Sequence, residues 1–295
     1  MKKSGFFLSK IMQFDSYVGI DWSGDKSNFQ KGISVAQCMK GQKVPKIIKS
    51  NKNFWNRNDL FEWINEEIKT KKILMGFDFA FAYPFYDQYS YFPGIKESPT
   101  TPYKLWEIIN NINYNKENFY GGGIWAQYPY SNFYNAPGIK GTYYKSRRRI
   151  TEIDAKEKTH SPSPTFNCVG PGAVGTGTLA GMRFLNSLQN TVNIWPFNEI
   201  INSKRSVAVE IFPTYYFRMF GIKPTKKLGY TLEQINYTLN CFKSKKLPLN
   251  TIIGGPDQDD ADAIISCAAL RYLSNKKETW KVPKVSEKEG WIFGV

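Results

Sequence analysis

Histidine and cysteine are scarce in this chain. Its 295 residues include one histidine, His160, and four cysteines, at positions 38, 168, 241 and 267. The cysteines lie too far apart for metal-type spacing, and they are typical of reduced thiols in a cytoplasmic protein. His160 lies in a segment rich in serine and proline, and we expect it to have no catalytic role.

Long apolar runs are absent as well. No segment of the sequence reaches the length of a membrane-spanning helix. Residues 1–8 begin like a signal peptide, but Lys10 and Asp15 interrupt the apolar run that such a peptide needs. We therefore expect no membrane segment and a cytoplasmic location.

Acidic residues are outnumbered by basic ones. The chain has 40 lysines and arginines against 25 acidic residues, a formal net charge of +15. Such a charge favours a polyanionic partner, most commonly nucleic acid (DNA or RNA), although a membrane surface or solubility alone would also account for it. With 41% hydrophobic and 16% aromatic residues, the sequence predicts a folded globular domain.

The apolar pattern predicts an α/β fold with a mixed sheet of five strands flanked by helices. Three strands come first: residues 17–21, a strand from about residue 32, and residues 44–49. Short turns separate them, which predicts an antiparallel meander. A helix that begins near Asp59 leads to residues 73–79, which are apolar on both faces, as in a central parallel strand. This order is that of an RNase H-like sheet.

The second half of the chain continues the alternation of helices and strands. We expect a helix after Thr178, a strand at residues 207–212, a helix with a capping box formed by Thr231 and Gln234, and a final helix at about 259–273.

Two segments lie outside this pattern. Residues 1–15 are interpreted as an N-terminal extension of the single domain. Residues 83–167 are crowded with aromatic residues, proline, asparagine and glycine, and we interpret them as a long insertion after the fourth strand, with a short helix near residues 105–111. Loop regions of this length are often functional.

Four aspartates lie where apolar segments end or begin. Asp21 closes the first strand, Asp78 interrupts the fourth, and Asp259 and Asp262 open the final helix. If the two strands are neighbours, all four side chains can converge. Buried carboxylates are costly unless a positive group neutralises them, so this set indicates Mg²⁺ or Mn²⁺ and a phosphate substrate.

Purely structural roles are also open for three of these residues. Asp259 and Asp262 could stabilise the start of the helix through capping and the helix dipole. Asp21 could begin a turn. Asp78 is harder to explain in this way because its neighbours are apolar on both faces.

Five short motifs occur in a characteristic order: Val18-Gly19-Ile20-Asp21, Gly76-Phe77-Asp78, Val209-Glu210-Ile211-Phe212-Pro213, Asp259-Asp260-Ala261-Asp262-Ala263 and Gly290-Trp291-Ile292. They resemble a bacterial and archaeal family of predicted RNase H-like nucleases of unknown biological role. The spacing of the last two aspartates also resembles the final catalytic motif of RuvC-type Holliday-junction resolvases.

The resemblance implies a nuclease that hydrolyses phosphodiester bonds by a two-metal-ion mechanism, with Asp21, Asp78, Asp259 and Asp262 as metal ligands. The chain departs from the resolvases in one respect, since they usually carry a glutamate where this sequence has Asp78. Glu210 matches the family's third motif, and three roles are open for it: a further ligand, a residue that orients a ligand, or a structural partner of a basic residue such as Arg218.

The insertion contains a cluster of aromatic and basic residues. Tyr144 could stack on a base, and the basic side chains could contact phosphates: Lys145, Arg147, Arg148 and Arg149. A solvated basic loop is the alternative. The glycine-rich segment 170–177 could hold a phosphate at a helix N-terminus, but it lacks the P-loop lysine, which favours a simple loop before a helix.

Two other functions remain open. One is an ATP-dependent phosphotransferase of the actin and sugar-kinase type, because that fold also begins with a strand, an aspartate and a turn. The other is a nucleic-acid-binding module that has the RNase H-like fold without catalysis.

Overall fold

The computed structural model describes residues 12–170, 172–200, 203–225, 229–255 and 257–295. In chain order, its strands and α-helices are β1 (Ser16–Asp21), β2 (Ser34–Met39), β3 (Lys46–Ile47), α1 (Arg57–Thr70), β4 (Ile73–Phe77), α2 (Pro102–Ile112), β5 (Asn135–Ala136), β6 (Ile139–Lys140), α3 (Ile150–Lys158), α4 (Gly175–Leu188), β7 (Asn193–Ile194), β8 (Val207–Glu210), α5 (Pro213–Arg218), α6 (Leu232–Cys241), α7 (Asp259–Leu273) and α8 (Ser286–Glu289). Short 3₁₀ turns occur at Gly122–Ala126, Tyr130–Phe133 and Lys277–Trp280.

The main sheet is mixed and has six strands in the order β3-β2-β1-β4-β8-β7. Strands β1, β2 and β3 are antiparallel neighbours, whereas β4 lies parallel to β1 and β8 parallel to β4. The prediction of a mixed α/β sheet flanked by helices is confirmed. The predicted count of five strands was too low, because the two-residue strand β7 pairs with the outer edge of β8.

Helices cover both faces of the sheet. Alternation along β1 directs Val18 and Ile20 towards one hydrophobic core, which we call the first core and which also contains buried residues of α1, α2 and α4. Tyr17 belongs to the second core, on the opposite face, together with residues of α5, α6 and α7. Successive residues of a strand therefore point alternately into the first core and into the second core.

Helix α7 packs directly on β1 because Gly19 has no side chain. A Cβ on Gly19 would collide with the carbonyl oxygen of Ala263 and would lie 2.5 Å from the backbone nitrogen of Cys267. At the neighbouring position on β4, a Cβ on Gly76 would collide with Ile211 and would lie 3.0 Å from Cδ1 of Leu270 in α7. The two glycines let α7 approach closely, which brings its first turn to the end of β1 where Asp21 lies.

The aromatic segment after β4 forms part of the first core. Buried aromatic side chains from it pack with the sheet residues of that core: Tyr83, Tyr91, Phe92, Trp106, Tyr134 and Phe166. The predicted short helix corresponds to α2, while α3 was not predicted, because Ile150–Lys158 lacks a clear apolar period. The segment is thus a packed layer over one face of the sheet.

The predicted N-terminal extension falls partly outside the described residues, which begin at residue 12. Within the part that is described, Phe14 is buried in the second core and the backbone nitrogen of Asp15 donates to the carbonyl of Lys72. The chain is therefore anchored to the sheet before β1 begins.

Candidate functional site

Asp21 and Asp78 lie side by side at the carboxyl end of the two central strands. Strands β1 and β4 are parallel with Ile20 opposite Phe77, so the next residues along the two strands are the two aspartates. The amide of Asp78 donates to the carbonyl of Ile20 at 3.2 Å. Since Phe77 and Phe79 both point into the first core, Asp78 points to the opposite side, the side of α7.

Helix α7 brings Asp259 and Asp262 to the same end of the sheet. Its N-cap is Gln258, whose side chain makes no capping hydrogen bond, so the helix does not use Asp259 as its cap. Gly32 is a close neighbour of Asp259, because a Cβ on Gly32 would lie 3.5 Å from its Oδ1. The capping interpretation of this residue therefore finds no support in the hydrogen bonds.

The four carboxyl groups repel one another. Burial, followed by the charges of Asp262, Asp78 and Asp259, raises the pKa of Asp21 well above its usual value. Burial and the charges of Asp262 and Glu210 likewise raise the pKa of Asp78. Burial and the charge of Asp259 raise the pKa of Asp262 to about 7.

No basic side chain balances this charge within the part of the chain that the structure describes. None of the ion pairs among those residues includes any of the four aspartates. The closeness of Asp259 to Asp21 also contributes to the raised pKa of Asp21, and a bound cation would relieve this repulsion. The net result is a local excess of negative charge in a basic protein.

Oxygen ligands of this kind are those that Mg²⁺ and Mn²⁺ prefer. However, across residues 12–170, 172–200, 203–225, 229–255 and 257–295, no group of three or more histidine, cysteine, aspartate or glutamate side chains is placed to hold a metal ion. The donor set is suited to a hard divalent cation by its chemistry, although the side chains do not form a coordination group in this structure.

Asp260 has a different role from its neighbours in the first turn of α7. Its Oδ1 accepts a hydrogen bond from Ser34 Oγ at 2.6 Å, and its Oδ2 accepts one from the backbone nitrogen of Gly254 at 2.9 Å. It ties the start of α7 to β2 and to the preceding loop. The carboxylate of Asp260 is thus fully engaged by local structure, whereas that of Asp259 accepts only one local hydrogen bond among the described residues, from the backbone nitrogen of Asp257 at 3.3 Å.

Glu210 lies on the other face of the sheet and is paired with Arg149. The Nη1 and Nη2 atoms of Arg149 donate to the two carboxylate oxygens of Glu210 at 2.7 Å and 2.5 Å. Arg149 also donates to Glu152 Oε1 at 2.8 Å, and the backbone nitrogen of Phe81 donates to Glu210 Oε2 at 3.0 Å. Of the roles left open for Glu210, the structure favours a structural ion pair, with Arg149 rather than Arg218 as the partner.

The basic cluster of the insertion is mostly turned inwards. Arg149 is 1% exposed, and the guanidinium of Arg147, which is 7% exposed, bonds Asp87 and three backbone carbonyls. Arg148 donates to the carbonyl of Pro162. The burial of Arg147 and Arg149 disagrees with the prediction that they contact phosphates, because their donors are used within the protein.

The other two residues of this cluster remain accessible to different degrees. Lys145 is exposed, whereas Tyr144 is half-buried and packs against the first core. Their predicted contact with nucleic acid stays a prediction.

A cavity of about 790 Å³ opens beside Asp78 and Glu210. The insertion supplies much of its wall, including Tyr120, Trp125 and His160, and the start of α4 supplies Thr176 and Gly177. A ligand that reaches Asp78 from this side therefore passes between the insertion and α4. Sequence reasoning missed Tyr120 and Trp125, since nothing local distinguishes them from other aromatic residues of the segment.

The loop after β1 closes against the start of α4. Trp22 Nε1 donates to the carbonyl of Gly177 at 3.0 Å, and a Cβ on Gly24 would collide with the backbone of Thr176 and Gly177. Arg57 Nη2 holds the loop from below by donating to the carbonyl of Ser23 at 2.9 Å. The loop and the start of α4 are therefore in direct contact at one edge of the cavity.

Among the described residues, no helix is both long enough and apolar enough to cross a lipid bilayer. Comparison with known proteins gave no match to a protein-family model, to a curated protein or to a solved structure.

Proposed function

We propose that this chain is a Mg²⁺- or Mn²⁺-dependent nuclease with an RNase H-like fold, which hydrolyses phosphodiester bonds of nucleic acid. The observation that carries the proposal is the meeting of Asp21 and Asp78 on adjacent parallel strands with Asp259 and Asp262 from α7. The raised pKa values of Asp21, Asp78 and Asp262 express burial and mutual repulsion that no ion pair among the described residues compensates. Clustered, strained carboxylates of this kind occur preferentially at functional sites.

The order of the strands supports the RNase H-like assignment. Three antiparallel strands, a helix and a parallel fourth strand come first, and a further parallel strand pairs with the fourth. The acids lie at the end of the first strand, after the fourth strand and on the last long helix, which is the arrangement in the RuvC-type resolvases that the sequence resembles. The single domain, the nucleic-acid partner and the cytoplasmic location are parts of the same proposal.

Each residue of the site has a distinct task in this proposal. Asp21 and Asp78 would hold the cation, and Asp259 and Asp262 would complete its environment. A bound divalent cation would activate water and stabilise the leaving oxygen of the phosphodiester. Glu210, which is neutralised by Arg149, does not bind the cation but fixes the backbone of Phe81 just after Asp78. The net charge of +15 favours a polyanionic substrate.

The proposal is tested with Asp78→Asn. We expect this variant to lose at least about 100-fold in cleavage with Mg²⁺ or Mn²⁺, because a lost ligand weakens a metal site more than a lost supporting contact does. Binding of the same nucleic acid in EDTA should persist. Asp154→Asn, which removes a carboxylate outside the cluster, is the matched control and should cleave like the wild type.

Misfolding would not account for the expected loss, since removing one of several repelling charges does not weaken the fold. Thermal unfolding of both variants checks this point. If wild-type protein cleaves no form of DNA or RNA with either metal ion, the nuclease proposal fails. ATP binding measured by calorimetry would instead support the phosphotransferase alternative.

A further inference from the structure

A second groove, of about 570 Å³, runs along the edge strand β3 and the segment that follows it. The polar and aromatic residues that line it include Lys31, Lys49, Asn51, Lys52, Asn53 and Phe54. The three lysines are exposed. Lys52 forms a surface ion pair with Asp59 at 3.1 Å, a contact weak enough to be exchanged for another anion.

An exposed aromatic ring lies among these lysines. Phe54 is 43% exposed, and the Nζ atom of Lys31 lies 5.8 Å from the centre of its ring. The next residue, Trp55, is buried and fixes the segment, since its Nε1 donates to the carbonyl of Ile48 at 3.2 Å. The ring of Phe54 is therefore presented to solvent on an anchored backbone, beside the positive charge of Lys31.

The groove ends beside the acidic cluster. Asp260 and Gly255 line it, and Gly32, next to Lys31, is close enough to Asp259 that a Cβ there would lie 3.5 Å from Oδ1. Among the described residues that line the groove, Asp260 is the one acid, and its carboxylate is engaged by Ser34 and Gly254. A polyanion bound along these lysines would thus extend to the end of the groove that lies next to the acidic cluster.

We propose that this groove, which we call the β3 groove, binds the phosphate backbone of a single strand of nucleic acid, with a base stacked on Phe54. The proposal rests on the nuclease function proposed above and names the substrate class. Positive side chains that follow a groove, combined with an exposed aromatic ring, are the combination that binds single strands without sequence preference. A duplex keeps its bases stacked on one another, so it offers no free base face to Phe54.

The test measures binding in EDTA, where no cleavage occurs, by the fluorescence anisotropy of a labelled single-stranded oligonucleotide. The variant carries Lys31→Ala, Lys49→Ala and Lys52→Ala together. Loss of three phosphate contacts should weaken binding on the order of 100-fold at about 0.1 M salt. It should also reduce the slope of log affinity against log salt concentration by about 2, since each phosphate contact contributes about 0.7 for single strands.

The matched control removes the same charge elsewhere. Lys116, Lys277 and Lys284 are exposed and lie outside the β3 groove. Their combined replacement by alanine should change affinity by less than about threefold, because charges more than about 10 Å away are screened at this salt. If this control weakens binding as much as the groove variant does, the overall charge of the protein is sufficient to explain the binding. The proposal that the β3 groove is the binding site is then overturned.

Phe54→Ala separates stacking from charge. It should weaken binding of the oligonucleotide by about fivefold or more, while binding of heparin, a polyanion without bases, stays unchanged. If Phe54→Ala weakens the binding of both ligands equally, or weakens the binding of neither, the proposed stacking of a base on Phe54 is overturned.

The two proposals fail in different ways. Groove-dependent binding without cleavage by any metal-loaded form would overturn the nuclease and leave the β3 groove standing. Cleavage combined with unchanged binding by the groove variant would overturn the groove alone.

Discussion

Asp262→Asn should stabilise the protein at pH 8 when EDTA removes divalent cations. In the folded protein the pKa of Asp262 is raised to about 7 from an ordinary 3.8, by burial and by the charge of Asp259. Because the folded pKa lies above the unfolded one, the folded state binds the proton more tightly. The ionised side chain therefore costs stability above pH 7, and this cost disappears as the pH falls towards 4.

The size of the effect follows from the pKa. A difference of about three pH units at about 1.4 kcal/mol each sets an upper limit of about 4 kcal/mol at pH 8. Partial exposure screens the charge, and losing an acid near the N-terminus of α7 removes about 0.3–1 kcal/mol of favourable dipole interaction. We therefore expect Asp262→Asn to raise the free energy of unfolding by about 1–3 kcal/mol at pH 8 and by little at pH 4.

Urea unfolding at the two pH values measures this difference. Asp260→Asn is the matched control, because it removes a charge from the same helical turn but disturbs the hydrogen bonds from Ser34 and Gly254. It should lower stability at pH 8 by about 1 kcal/mol or more. A less stable Asp262→Asn at pH 8, or a stabilisation of the same size at pH 4, would refute the argument from charge repulsion.

Two further predictions concern the contacts that position the site. Arg149→Met should lower the free energy of unfolding, measured in urea, by about 3–5 kcal/mol, because Glu210 and Glu152 would be left buried without a partner. The control Lys145→Ala should change this free energy by less than about 0.5 kcal/mol. If Arg149→Met is as stable as the wild type, the ion pairs do not hold the insertion to the sheet. Gly19→Ala should lower the free energy of unfolding by about 1–3 kcal/mol, since the added methyl group would push α7 away from β1. A fully stable Gly19→Ala variant would mean that α7 does not pack as closely as described.

Local sequence patterns were sufficient to predict most of the sheet and the last helix. The apolar runs that become β1 and β4 stop at Asp21 and Asp78, and the final helix was placed at the residues where α7 begins and ends. These signals are short-range, because alternation and helical periodicity depend on residues a few positions apart. The capping box of Thr231 and Gln234 is likewise local, and it is present in the structure.

Only the tertiary structure decided which charged residues are free and which are neutralised. Arg149 looked like part of an exposed basic loop, yet it pairs with Glu210, a residue 61 positions away. Lys31 and Phe54 carried no local signal, but the folding of the sheet edge brings them into one groove beside Asp260. The sequence by itself determined most of the main helices and strands and where their acids lie, because those follow from neighbours along the chain. Burial and ion pairing depend on partners that folding brings from distant segments, and so the availability of each charge could be established only from the fold.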